Sequence, residues 1–201
     1  MLVDAELLAT GRYQALAGPA LVRLSGATAG QHARSDILGL ALRLQRRASR
    51  DPREGDQDLL FGTFESFFTL GRAVQHTRAD DYLANRYASV APWWIPGLGA
   101  AVLRLEPIRD AGAFPDEDRL ARLDTAIGRD AARFALTAGD QRLGELVLRA
   151  RRAGDPRFRA SLFRQGRGLR PLGFRNGIRA TVYPINQTAR RLRKRDRRWV
   201  V

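Results

Sequence analysis

Residues 132–150 read ARFALTAGDQRLGELVLRA. Two apolar runs, 132–138 and 143–150, flank Ala138–Gly139–Asp140, the pattern of a β-hairpin whose turn is made by a glycine and an aspartate. The neighbouring segments extend that antiparallel reading. Residues 20–25 (ALVRLS), 37–45 (ILGLALRLQ) and 100–105 (AAVLRL) read as further strands, the last closed by Glu106 and Pro107. Residues 58–68 (DLLFGTFESFF) are apolar and lead toward a helix-like stretch near 69–88, and 158–163 form another candidate strand. Residues 92–99 (PWWIPGLG) are turn-rich and aromatic, and 116–128 suit a short amphipathic helix. Residues 26–35, 46–57 and 166–177 are loops or connectors, punctuated by glycine and proline. Short strands interrupted by helices predict an α+β protein: an antiparallel β-barrel with helices packed at its edges.

With 201 residues, 44% of them hydrophobic, the chain suits a single domain over 1–201. The absence of cysteine removes disulfides, iron–sulfur clusters and thiolate ligands, and fits a reducing, cytoplasmic setting. The first residues, MLVDAELLATGRYQ, carry an early acid pair and no long apolar run, so neither a signal peptide nor a spanning helix is expected. The net charge of +14 is segregated: residues 141–201 hold 18 Arg or Lys against three acids, and all but Lys194 of the 35 basic residues are arginine. Coding bias is a sufficient explanation for that preference. Chemically, arginine also binds carboxylate and phosphate through two parallel hydrogen bonds. The run from Arg190 to Arg198 makes 190–201 a basic C-terminal tail. Nucleic acid or an anionic membrane is a minor alternative partner for it.

The segment 179–190 reads RATVYPINQTAR. In a helix, Arg179 and Tyr183 would share a face, and a guanidinium beside a phenol favours the phenolate, a hard anionic ligand suited to ferric iron. The plain alternative is a surface helix end that contains a tyrosine. No serine elbow, P-loop or dinucleotide fingerprint is present, and two histidines, His32 and His76, are too few for a multi-histidine metal site.

Five segments in order resemble those of the catalase superfamily. ALVRLSG (20–26) is similar to the family strand that carries a haem-propionate arginine. DILGLALRL (36–44) is similar to its neighbour, which reads Asp, two residues, Gly, one residue, Ala, Leu, Lys. DLLFGTFESFF (58–68) resembles the distal segment ending in Phe-Phe. YASVAPWWIPGLGAAVLRLEP (87–107) resembles a Ser-x-x-Pro-aromatic turn followed by a strand, and 179–190 resembles the proximal haem segment.

The resemblance implies a barrel of the catalase type and haem b as cofactor. It makes Tyr183 the iron ligand, Arg179 its charge partner, and Arg23 and Arg190 the partners of the propionates. The bland reading of Arg23 is a strand arginine facing solvent. The family's distal histidine has no counterpart among the 22 residues before Arg23, and its distal asparagine falls near Gly62 and Thr63. Peroxide dismutation needs a base over the iron, so efficient catalase activity is not expected. His76, in the stretch that approaches the distal face in the family, is the candidate catalytic acid/base, with a solvated histidine as the alternative. Trp93 and Trp94 are read as turn packing ahead of a pocket wall. The implied function is a haem-dependent oxidoreductase, of peroxidase type, acting on a hydroperoxide or another small molecule. The alternatives are a non-enzymatic haem-binding or haem-free relative, and a basic nucleic-acid or anionic-lipid binding module. A homodimer is the expected assembly.

Overall fold

The structure, a computed structural model, describes residues 1–26, 36–49, 53–64, 75–89, 91–108, 118–154, 158 and 167–172. Eight antiparallel strands close into a barrel. They are β1 (Leu2–Leu8), β2 (Gly18–Gly26), β3 (Leu38–Leu44), β4 (Gln57–Gly62), β5 (Tyr87–Ala88), β8 (Leu103–Pro107), β9 (Arg133–Ala138) and β10 (Gln141–Arg152). Around the barrel they run β1, β10, β9, β8, β5, β4, β3, β2. A small second sheet places β6 (Trp93–Ile95) between β7 (Gly99–Ala101) and β11 (Arg170–Pro171). Helix α1 (Arg119–Gly128) joins β8 to β9, and a 3-10 helix, Gly11–Leu16, joins β1 to β2. The α+β antiparallel barrel expected from the sequence is the observed architecture.

The hairpin at 132–150 forms as read. Gly139 takes φ +57° at the first loop position, a backbone that glycine enters without steric cost, and Ala138 pairs with Gln141 across the turn. Inward side chains follow the period of two along each strand. Val3 of β1 faces Val22, which faces Leu42, which faces Leu59. These residues join Leu24, Leu40, Phe61, Tyr87, Leu105, Phe134, Leu136, Leu146 and Leu148 in one buried core. The lumen is therefore filled by side chains, as an eight-stranded barrel of this width allows.

Two segments depart from the sequence reading. β1 was not anticipated, yet Val3, Ala5 and Leu7 alternate with Asp4 and Glu6, and it seals the barrel by pairing with both β2 and β10. Of the helix-like stretch near 69–88, residues 69–74 lie outside the described residues, Gln75 and His76 are helical, and 77–88 are turns and a short strand. Asn85 and Arg78 exchange side-chain and backbone hydrogen bonds of 2.9 Å, and Asp81 Oδ1 accepts from the Leu83 amide at 2.8 Å. Such side-chain-to-backbone bonds offer the chain an alternative to the helix.

Connections divide the barrel into two ends. The β1–β2, β3–β4 and β9–β10 connections share one end, bridged by Arg12 Nη2 donating to Gln141 Oε1 at 2.8 Å. The other end carries segment 75–89 and α1.

Candidate functional site

Alternation in β2 turns Val22 and Leu24 into the core and Arg23 outward. The strand registers then set Leu2, Arg23, Ala41 and Leu60 in one row across the outside of β1–β4. The next row is Asp4, Leu21, Arg43 and Asp58. This outer wall is covered: Leu2, Leu21, Ala41, Leu60 and Phe158 form a second buried cluster, and every residue of β4 is buried on both faces. Phe158 lies between the rows, with the guanidinium carbons of Arg23 and Arg43 at 5.2 and 4.9 Å from its ring centroid. Both contacts fall within cation–π range.

Arg43 is fully buried and grips Asp58 with two parallel bonds, Nε to Oδ1 at 2.6 Å and Nη2 to Oδ2 at 2.8 Å. Register places the two residues directly opposite each other, so the pair needs no backbone distortion. Arg23 is half-buried. Its setting is a cation at the border of an apolar wall, suited to holding the carboxylate edge of a flat apolar ligand. It points outward from the barrel and is half-buried against Phe158.

Of the other sequence candidates, His76 is exposed. Its neighbour Thr77 turns inward and donates from Oγ1 to Thr63 Oγ1 at 2.9 Å, and Thr63 Oγ1 accepts from the Leu38 amide at 3.1 Å. A hydroxyl pair thus occupies this barrel end. Tyr183, Arg179 and Arg190, with His32 and the candidate strand beyond Phe158, lie outside the described residues. Among the described residues no three His, Cys, Asp or Glu side chains gather in a metal-binding group. None of the described helices is long and apolar enough to cross a membrane.

A third group was missed in the sequence. Buried Arg119 donates to Ala79 O at 3.3 Å, approaches Asp36 Oδ2 at 3.9 Å and lies 5.1 Å from the Tyr82 ring centroid. Tyr87 donates its hydroxyl proton to Tyr82 O at 2.8 Å. Burial pushes both phenols above the usual tyrosine range, Tyr87 strongly, which keeps them neutral. The available signal was Arg119 at the head of the stripe Arg119, Leu123 and Ala126, a charge on the buried face of an amphipathic helix. The group clamps segment 75–89 to α1, aided by Arg122 Nη1 to Asp80 Oδ2 at 2.8 Å. Desolvation opposes ionisation of Asp80, but the bond from Arg122, a backbone hydrogen bond and the charges of Arg122 and Arg78 together hold the carboxyl below its ordinary range.

No family model matches the chain, and no curated protein matches it. Among solved structures, a bacterial catalase is similar at 14% identity with a TM-score of 0.43, over 76% of this chain and 48% of the catalase. The chain spans about half the length of that catalase.

Proposed function

We propose that this protein binds haem b on the covered outer wall of β1–β4. In this reading it acts as a haem-dependent oxidoreductase on a hydroperoxide or similar small molecule, and is not an efficient catalase. The observation that carries the reading is the half-buried Arg23 set in an apolar wall, in a chain that also holds the Arg179–Tyr183 pair. Arg23 is the described residue whose chemistry suits the group's anionic edge. The packed lumen leaves no room for a macrocycle. The outer wall carries the apolar residues Leu2, Ala41, Leu60 and Phe158, which are covered in this structure, with Arg23 at their border for an anionic edge.

Tyr183 would ligate the iron, Arg179 would hold its phenolate, and Arg23 with Arg190 would pair with the propionates. Haem supplies, when bound, the redox chemistry that cleaves an oxygen–oxygen bond. His76, exposed beside Thr77, is assigned the movement of the proton. Thr63 and Thr77 order the approach to it and contribute no base of their own.

Titration of the purified protein with ferric haem should give a Soret band that saturates at one haem per chain. Arg23→Leu should weaken binding about tenfold, the scale of a lost hydrogen bond between charged groups. No Soret band, or unchanged affinity in Arg23→Leu, would contradict the proposal.

A second reading, a haem-binding or haem-free relative without enzymatic activity, is favoured by one feature: Phe158 already sits against both Arg23 and Arg43. Peroxidase assays at equal haem occupancy separate the two readings.

A further inference from the structure

Exposed arginines are treated differently on two parts of the surface. Along β1, β9 and β10 they are neutralised: Arg149 reaches Glu6 and Asp130 at 3.0 and 2.8 Å, Arg142 reaches Glu145 at 2.7 Å, and Arg151 reaches Asp124 at 2.9 Å. At the barrel end that carries the β3–β4 connection they are not. Arg46, Arg47, Arg53 and Arg170 are exposed and form no ion pair among the described residues. The acids nearby are the exposed Glu54 and Asp140 and the buried Asp56, which is engaged by the Arg53 amide at 2.9 Å.

Close contacts join these residues to the small sheet. Arg167 is anchored on Gln45 O and, at 3.1 Å, on Ala15 O. Burial first, then the nearby Arg46, lower the pKa of its guanidinium, while Asp56 opposes them. Gly168 lies against Pro96, and the β6–β7 turn at Gly97 lies against Arg12. On β6, Trp94 is 47% exposed and pairs in register with Arg170 of β11, which puts indole and guanidinium on one face.

We propose that this end of the barrel binds single-stranded nucleic acid, with Trp94 stacking on a base while Arg170, Arg46, Arg47 and Arg53 track the phosphates. The chemistry is that of single-strand binding surfaces in general: an aromatic platform in a cationic track. A lipid surface fits less well. Among the described residues only Leu8 and Trp94 are large exposed hydrophobics, too few for the broad apolar face that interfacial binding requires.

The test is fluorescence anisotropy of a labelled oligothymidylate of roughly 16 nucleotides with the full chain over a range of salt. Trp94→Ala should weaken binding about 5- to 150-fold, with Trp94→Phe recovering most of it. Arg46→Ser, Arg47→Ser and Arg53→Ser combined should lower the slope of log affinity against log salt by about 2. Circular dichroism melting should match wild type for each variant. A third variant combines Arg191→Ser, Arg193→Ser and Arg195→Ser. The proposal is overturned if oligonucleotide binding is lost only in this tail variant and is intact in the first two. Binding to vesicles of anionic phospholipid without binding to the oligonucleotide would also overturn it.

Discussion

Arg43 and Asp58 show how a single side chain stabilises this barrel and constrains its outer wall. A fully buried guanidinium is tolerated because the opposite strand presents a carboxylate at the matching register. Removing one partner strands the other charge in an apolar layer, so Asp58→Ala should cost about 3–5 kcal/mol, read from the denaturant midpoint. Arg43→Met with Asp58→Leu should recover most of that loss, because no charge is left unpaired. Tyr87 makes a pH-dependent contribution. Its folded pKa is raised by burial first, then by Tyr82 and Asp81, so folding favours the protonated phenol. That contribution is complete below about pH 10, the ordinary tyrosine value, and is lost as pH rises beyond it. Tyr87→Phe should flatten the alkaline limb of a stability–pH curve while costing about 1 kcal/mol at neutral pH for the lost bond to Tyr82 O.

Among the elements, β10 carries the closest fit. Its register shifts between Arg142 and Gly144, and a Cβ at Gly144 would stand 2.6 Å from the Leu8 carbonyl oxygen and 3.2 Å from Ala9 Cβ. Because a backbone oxygen cannot swing aside as a side chain can, Gly144→Ala should cost about 1–3 kcal/mol. The melting temperature should fall by roughly 5 °C in a thermal scan. Strands with a strong period of two and a recognisable turn were legible in the sequence: β2, β3, β9 and β10 fall where the apolar runs predict them, whereas the run 100–105 is divided between β7 and β8, which continues through Glu106 and Pro107. β1 carried an equally clear alternation that was considered only for targeting. The turns at 77–86 were hidden because their apolar content resembles a helix, while side-chain bonds of Asp81 and Asn85 decide the backbone locally. The outward position of Arg23 on β2 was legible from its strand context. The Arg119–Asp36–Tyr82 group was not, since its members come from three separated segments that meet only after the barrel closes.

For the molecule as a whole, closure of eight strands removes sheet edges from the barrel and fills its lumen, which forces any sizeable ligand to the outside or to the ends. The outer wall of β1–β4 and the cationic barrel end are separate surfaces in this arrangement, so haem binding and nucleic-acid binding can be tested independently. Charge segregation along the chain becomes spatial in part: the β1–β9–β10 wall balances its arginines, and at the barrel end Arg46, Arg47, Arg53 and Arg170 form no ion pair among the described residues. The central claim is haem held by a tyrosinate on this fold, and the most direct measurement is the absorption spectrum of haem-loaded wild type beside Tyr183→Phe at equal protein concentration. The account predicts a ferric tyrosinate-type spectrum in wild type that is lost or replaced in Tyr183→Phe. An identical Soret band in the two proteins, or none in wild type, would contradict it.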